Sequence, residues 1–178
     1  MELHMNGQHP SSQTPAQADR SIQPLALVLL LSLAAVLFFV GLGSLGLTDR
    51  DEGRNAEAGR EMYETGNYIS PTFNYEPRFA KPVFVYWLMS LSYHVFGVSE
   101  FAARFPSAIF GVGLILLQYL FLTRCRGPVV GLFGAAMLLL NLEIIGLSRM
   151  ALTDSVLIFF TTLSVSYTHL TLPTSDLV

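Results

Sequence analysis

Residues 21–48 read SIQPLALVLLLSLAAVLFFVGLGSLGLT and contain no charged side chain. Two later stretches, residues 105–123 and 127–142, are also free of charged residues. A helix needs about 20 mostly apolar residues to cross ~30 Å of hydrocarbon. The first stretch exceeds that length and the other two approach it, so the chain is predicted to be an all-α membrane protein.

The composition of the whole chain agrees with a membrane protein. Only 13% of the 178 residues are charged and the mean hydropathy is +0.50, whereas a soluble domain carries about 25% charged residues. The net charge of −3 offers no basic surface for nucleic acid, so none is expected as a partner. The single cysteine, Cys125, excludes an internal disulfide. We therefore predict a multi-pass protein of the cell (inner) membrane that contacts membrane lipids.

The apolar stretches divide the chain into regions. They predict spans at about residues 24–47, 106–123 and 128–147, with the start of a fourth at residue 152. Residues 1–22 are rich in Gln, Ser and Pro and are predicted to be a disordered cytoplasmic tail. Residues 166–178 break the apolar pattern and resemble translated sequencing-adaptor sequence, so they are interpreted as an artefactual tail. Residues 23–165 are then the N-terminal part of a longer membrane domain.

The loop RCRG at residues 124–127 indicates the orientation. Short loops with arginine tend to face the cytoplasm, which places residues 49–81 and 149–154 outside. Residues 83–96 leave an alternative open, because a span there would move residues 149–154 inside. That segment is roughly 21 Å long as a helix, which is shorter than the bilayer core, and its aromatic residues prefer the interface. A juxtamembrane or re-entrant helix is therefore predicted.

A polar stretch follows the first span. Either Asp49 or Asp51 can cap a helix there, and Glu52 lies three residues after Asp49 as in a capping box. Gly66 is a favourable helix end. The pattern predicts a short helix on the membrane surface.

Three clusters of ionisable residues lie at the ends of the predicted spans. They are Asp51, Glu52 and Arg54; Arg78 and Lys81; and Arg149 and Asp154. On the preferred topology all three face the same side of the membrane. Ionisable residues at a membrane edge are costly and are functional candidates for that reason.

These residue types suit sugar transfer from a polyprenyl-phosphate carrier. The cations Lys81, Arg78 and Arg54 would stabilise the negative charge on the leaving phosphate. Asp51 would take the proton from an attacking hydroxyl, and Asp154 would orient the acceptor or the base. An acceptor that is itself a phosphate would need no base, and Asp51 would then mainly position groups.

Each cluster also has a structural alternative. Asp51 can cap the surface helix, Arg78 and Lys81 can contact lipid headgroups, and Asp154 can form an ion pair with Arg149. The competing class of function is a non-catalytic membrane protein, such as a transporter fragment or a lipid-binding scaffold. Transporters often place charges in mid-membrane broken helices, whereas these charges lie at one face, which favours the enzyme.

The segment from about Leu47 to Phe160 resembles the bacterial dolichyl-phosphate-mannose-protein mannosyltransferase superfamily. The resemblance is nearest to the branch with the 4-amino-4-deoxy-L-arabinose transferase that modifies lipid A. The motifs that carry it are Asp51-Glu52-Gly53-Arg54, Asn74 through Lys81-Pro82 to Tyr86-Trp87-Leu88, Phe96-Gly97 through Glu100-Phe101-Ala102-Ala103-Arg104 to Pro106-Ser107-Ala108, and Arg149 through Asp154.

The resemblance implies a GT-C type helical bundle with outer-face juxtamembrane helices. It implies inverting transfer from an undecaprenyl-phosphate sugar donor to a lipid acceptor such as lipid A, or to protein, at the periplasmic face. Asp51 matches the catalytic aspartate, Lys81 the phosphate-contacting lysine and Asp154 the second essential aspartate. Some relatives bind a metal through an acid just before the lysine. Ala80 stands there in this chain, so no metal and no cofactor are expected, and this fragment alone is expected to be inactive.

Overall fold

The computed structural model describes the backbone of residues 15–171 and the side chains of residues 23–171. The elements in this part of the chain are α1 (Pro15–Phe39), α2 (Arg50–Thr65), β1 (Thr72–Phe73), β2 (Glu76–Pro77), α3 (Val83–Phe96), α4 (Glu100–Arg126), α5 (Pro128–Leu139), α6 (Leu142–Ser148) and α7 (Asp154–Thr171). The all-α prediction is confirmed, since the strands form only a short antiparallel hairpin.

Helix α4 is the centre of the bundle, and α1, α3, α5 and α7 all pack against it. Its 27 residues form the one helix in the described part that is by itself long and apolar enough to cross a membrane. It begins earlier than the predicted residue 106, because the Ser99 side chain caps it by accepting a hydrogen bond from the N–H of Ala102 at 3.2 Å. It is about 40 Å long, so its two ends can lie at opposite membrane faces.

Helix α1 differs from its prediction at both ends. It begins at Pro15, so residues 15–22, which were predicted to be disordered, are helical, while residues 1–14 lie outside the described part. It ends at Phe39 rather than near residue 47 because a glycine-rich turn follows. Gly41 adopts φ +68°, and a Cβ at Gly43 would lie 3.0 Å from the Cβ of Phe101. Glycine therefore lets the turn pack directly against α4.

The predicted third span, residues 128–147, is not one continuous helix. Helices α5 and α6 meet at an angle of 68° after a break at Leu140 and Asn141. The Asn141 side chain accepts hydrogen bonds from the N–H groups of Glu143 at 2.9 Å and Ile144 at 3.2 Å. Asparagine favours helix N-caps over helix interiors, so it starts a new helix in the middle of the apolar stretch.

The polar helix α2 and the short aromatic helix α3 form where the sequence predicts helices. Asp49 caps α2 by accepting from the N–H groups of Asp51 and Glu52, and Gly66 ends it at φ +68°. The capping-box prediction for Glu52 is wrong in detail, because its side chain accepts from the N–H of Thr48 and not from that of Asp49. Helix α3 has 14 residues and packs against both α2 and α4.

Helix α7 starts at Asp154 and continues to Thr171. It therefore includes the first residues of the segment interpreted as an artefactual tail, whereas residues 172–178 lie outside the described part. Phe84 of α3 contacts Phe160 of α7, with ring centroids 5.7 Å apart. This contact brings the start of α3 close to the first turns of α7.

Two apolar clusters hold these elements together. One joins α2, α3 and α4 and includes Met62, Tyr86, Met89 and Ala102. The other joins α1, α4 and α5, around buried residues such as Phe38, Ile115 and Leu139. The first cluster lies directly beneath the polar residues described next, so it fixes the positions of their helices.

Candidate active site

The central feature of the polar region is a buried ion pair between Glu52 of α2 and Arg104 of α4. Nε of Arg104 lies 2.7 Å from Oε1 of Glu52, and Nη2 lies 3.1 Å from Oε2. Glu52 is 0% exposed and Arg104 is 5% exposed. Two parallel N–H···O bonds of this kind fix both the distance and the orientation of the two helices.

Arg104 also binds the turn that follows α1. It donates to the carbonyl oxygens of Leu42 at 2.8 Å, Leu45 at 2.7 Å and Gly46 at 3.0 Å. These carbonyls have no helical partner, because the helix has already ended at Phe39. One guanidinium group therefore joins α1, α2 and α4.

Helix α2 binds both backbone groups of Ala151, in the turn before α7. Oε1 of Glu52 accepts from the N–H of Ala151 at 2.9 Å, and Nδ2 of Asn55 donates to its carbonyl at 3.2 Å. From α4, the Ser107 hydroxyl donates to the carbonyl of Leu152 at 3.2 Å. The segment that carries Asp154 is thus attached to the helix that carries Asp51. We call Glu52, Asn55, Arg104 and Ala151 the junction.

The electrostatics of the junction favour a charged Glu52. Burial by itself raises the pKa of a carboxyl group. The hydrogen bonds and positive charge of Arg104, with the N–H groups of Ala151 and Thr48, outweigh this effect, so the pKa of Glu52 lies below its ordinary value. The carboxylate is therefore ionised at neutral pH.

Asp51 lies in a different environment from its neighbour Glu52. Its side chain is 49% exposed, and its nearest cationic partner is Arg54, at 3.7 Å on the same helix. Asp51 does not cap α2, because Asp49 does. Both Asp51 and Arg54 therefore remain available to a ligand.

Arg149 has a structural partner that the sequence did not indicate. Its guanidinium donates to the carbonyls of Leu37 and Val40, at the C-terminal end of α1. A cation at this end of a helix is favourable. No ion pair joins Arg149 to Asp154 within residues 23–171, so that alternative is wrong. Asp154 is half-buried and is the first residue of α7.

The second cluster lies on the loop before α3. The guanidinium of Arg78 lies over the Phe73 ring, 5.5 Å from its centroid, and its Nε is 3.4 Å from the Tyr86 hydroxyl. Lys81 is half-buried and follows three residues later. We call residues 67–82 the donor loop, after the phosphate-binding role expected of these two cations.

The structure links the first and third clusters directly, through Glu52, Asn55 and Ala151. The second cluster is linked to them by α3, which packs against α2 and contacts α7 through Phe84. No hydrogen bond or ion pair joins Lys81 to Asp51 or Asp154 among the residues the structure describes. The three clusters therefore lie on adjoining elements.

Sequence reasoning missed Asn55 and Arg104 as site residues. Arg104 could have been found, because it directly precedes the charge-free stretch 105–123, and an ionisable residue at a membrane edge is costly unless it is paired. Asn55 carries no such signal. Within the described residues no group of three or more His, Cys, Asp or Glu side chains could hold a metal ion.

The chain matches one protein family and several known proteins. Residues 27–171 match the family model described as dolichyl-phosphate-mannose-protein mannosyltransferase. An uncharacterised protein of Aquifex aeolicus is 39% identical over 76% of this chain and 33% of its own length. The undecaprenyl phosphate-alpha-4-amino-4-deoxy-L-arabinose arabinosyl transferase 2 of Pseudomonas fluorescens (strain Pf0-1) is 36% identical over 67% of this chain and 22% of its own length.

The fold is similar to that of ArnT from Cupriavidus metallidurans, in a crystal structure bound to undecaprenyl phosphate. The TM-score is 0.75 at 28% identity, over 79% of this chain and 26% of that chain. The chain thus spans between about a fifth and a third of the length of these relatives. Because the family match covers most of its residues, the chain belongs to the dolichyl-phosphate-mannose-protein mannosyltransferase family.

Proposed function

We propose that the full-length protein is an integral membrane glycosyltransferase that moves a sugar from a polyprenyl-phosphate donor, such as undecaprenyl phosphate, to a lipid or protein acceptor. The observation that supports this most is the direct attachment of the Asp154 segment to the helix of Asp51 and Arg54, through the junction. The match to the mannosyltransferase family and to the aminoarabinose transferases adds the substrate class.

In the proposed reaction the acceptor oxygen attacks C1 of the sugar from the side opposite the phosphate. The bond between C1 and the phosphate oxygen breaks, and its electron pair leaves with the polyprenyl phosphate, which inverts the configuration at C1. Lys81, Arg78 and Arg54 stabilise the charge that develops on the phosphate. Asp51 accepts the proton of an acceptor hydroxyl, and Asp154 orients the acceptor. The side chains of Asp51 and Asp154 are partly exposed, which leaves both carboxylates free for these contacts.

We propose that this site faces the periplasm. Arg104 lies near the beginning of α4, and Arg124 and Arg126 lie in its last turn, roughly 30 Å away along the helix axis. If the arginine-rich end is cytoplasmic, the junction and both candidate carboxylates lie at the opposite face. This orientation gives the site access to an acceptor outside the cytoplasm.

The direct test uses the full-length protein with a radiolabelled undecaprenyl-phosphate sugar in proteoliposomes. Asp51→Asn is expected to lower the transfer rate about 10²–10⁴-fold, the usual contribution of a positioned acid or base. Lys81→Ala is expected to weaken donor binding and to raise KM for the donor. Glu64→Gln is the matched control, because Glu64 is an exposed carboxylate on the same helix.

Transfer at the unmodified rate by both Asp51→Asn and Lys81→Ala would contradict the assigned roles. Undiminished binding of the donor in the absence of any transfer would instead favour the lipid-binding scaffold. A phosphate acceptor gives a third pattern, since Asp51→Asn then has a small effect while Lys81→Ala remains defective.

A further inference from the structure

The geometry points to Glu61 as a positioning residue that holds the donor loop in the conformation in which Arg78 and Lys81 can bind the donor phosphate. This inference rests on the function proposed above. Glu61 lies near the end of α2 and is 0% exposed. It is a buried carboxylate that the proposed reaction does not otherwise use.

Glu61 binds the hairpin formed by β1 and β2. Its Oε2 accepts a hydrogen bond from the Thr72 hydroxyl, and both of its oxygens lie 3.2 Å from the backbone nitrogen of Tyr75. A carboxylate can accept several hydrogen bonds at once. Glu61 therefore holds the hairpin at its first strand and at its turn.

The turn of this hairpin requires such support. Asn74 and Tyr75 have φ values of +56° and +61°, so both lie in the left-handed region. Asparagine tolerates that conformation, but for tyrosine it is unfavourable, because the Cβ atom comes too close to the following carbonyl oxygen. The Tyr75 side chain is 67% exposed and gains little from packing. The bonds from Glu61 to the backbone of Tyr75 are thus a main source of compensation.

The hairpin also fixes the position of Arg78. The N–H of Arg78 donates to the carbonyl of Pro71 at 2.8 Å, directly across the base of the hairpin. The Arg78 guanidinium lies over the ring of Phe73, which is part of β1. A hairpin that loses its contact with Glu61 would release both Arg78 and the segment leading to Lys81.

The first readout is the rate at which trypsin cleaves the Arg78–Phe79 bond in the full-length protein, reconstituted with this face accessible. Glu61→Ala is expected to speed this cleavage about 10-fold or more, because the hairpin opens more often. Glu61→Gln keeps an acceptor oxygen for the same N–H and is expected to stay close to the unmodified rate. Glu64→Ala is the control, since Glu64 is an exposed carboxylate that pairs with Arg60 on the same helix.

The second readout is transfer from the undecaprenyl-phosphate sugar. Glu61→Ala is expected to raise KM for the donor about 10-fold to 100-fold, with a smaller effect on kcat, because the phosphate contacts are misplaced. Thr72→Val removes only one of the hydrogen bonds and serves as a milder variant should Glu61→Ala fail to fold. Tyr75→Gly, which relieves the left-handed strain, is expected to restore part of the affinity in the Glu61→Ala background.

An unchanged cleavage rate in Glu61→Ala would overturn the inference. So would faster cleavage at an unchanged KM, since the donor would then be bound elsewhere. A defect in Glu61→Gln as large as that in Glu61→Ala would also overturn it, because a charge would then be required rather than an acceptor. Failure of the proposed function appears separately, as full transfer by both Asp51→Asn and Lys81→Ala, and leaves the cleavage comparison intact.

Discussion

The junction and the donor loop are held in contrasting ways, although α2 contributes to both. At the junction Glu52 and Arg104 are almost fully buried and make several hydrogen bonds each. In the donor loop the side chains of Tyr75 and Phe79 are largely exposed, and the hairpin depends mainly on Glu61. The junction thus provides a rigid frame, and the groups expected to meet the substrates lie at its exposed edge.

The largest effect is expected from removing one charge of the junction. Arg104→Met leaves Glu52 buried without a cation and is expected to destabilise the protein by about 3–5 kcal/mol. Removing both charges in Glu52→Met with Arg104→Met is expected to cost less than Arg104→Met alone. The measurement is the unfolding midpoint of the full-length protein in detergent, and Arg60→Met provides the comparison with a partly exposed ion pair.

A smaller effect is expected from the second contact to Ala151. Asn55→Leu removes the donor to the Ala151 carbonyl and leaves that oxygen buried, which costs about 1–3 kcal/mol. Since the Asp154 segment is attached here, transfer should fall with stability. Normal stability and normal transfer in Asn55→Leu would show that Glu52 alone holds this segment.

The contribution of Glu52 should depend on pH. Its pKa is lower in the folded protein than in the unfolded chain, where a glutamate titrates at about 4.3. The stabilisation is therefore complete above that value and is lost as the pH falls toward the lowered pKa. Acid titration should bring the unfolding midpoints of the unmodified protein and Glu52→Gln together. If the difference between these two midpoints stays constant below pH 4, the pKa of Glu52 is not lowered by folding.

The smallest effect on stability is expected at Asp51. The pair with Arg54 is exposed, and such pairs contribute only about 0–1 kcal/mol. Asp51→Asn should therefore leave the unfolding midpoint nearly unchanged while it abolishes most of the transfer. A large loss of stability in Asp51→Asn would show that Asp51 supports the fold, as the junction does, and does not belong to the exposed edge expected to meet the substrates.

The sequence predicted those features that depend on local pattern. The helix of residues 50–65, its end at Gly66 and the short aromatic helix all follow from capping residues and apolar period. The sequence alone does not distinguish Asn141 from a polar residue tolerated inside a span, so it did not predict the helix break there. The early end of α1 involves the glycine-rich turn that follows it, and the free carbonyl groups there bind Arg104 and Arg149, which come from distant parts of the chain.

The candidate site divides in the same way. The motifs predict Asp51, Lys81 and Asp154 as candidates, because their residue types and positions at span ends are visible in the sequence, and their roles remain predictions. The roles of Asn55 and Glu61 depend on a tertiary contact, to Ala151 for one and to the hairpin for the other. No local pattern indicates either, so only the fold could reveal them.

We infer that the donor loop and the Asp154 segment face one aqueous surface, on the opposite side of the membrane from Cys125. The most direct measurement is labelling of intact cells with a membrane-impermeant thiol reagent. The reagent is applied to full-length protein carrying a single cysteine at Phe79, Met150 or the native Cys125. We predict labelling from outside for Phe79→Cys and Met150→Cys, and labelling of Cys125 only after permeabilisation. Labelling of Met150→Cys from the cytoplasmic side alone would contradict the account.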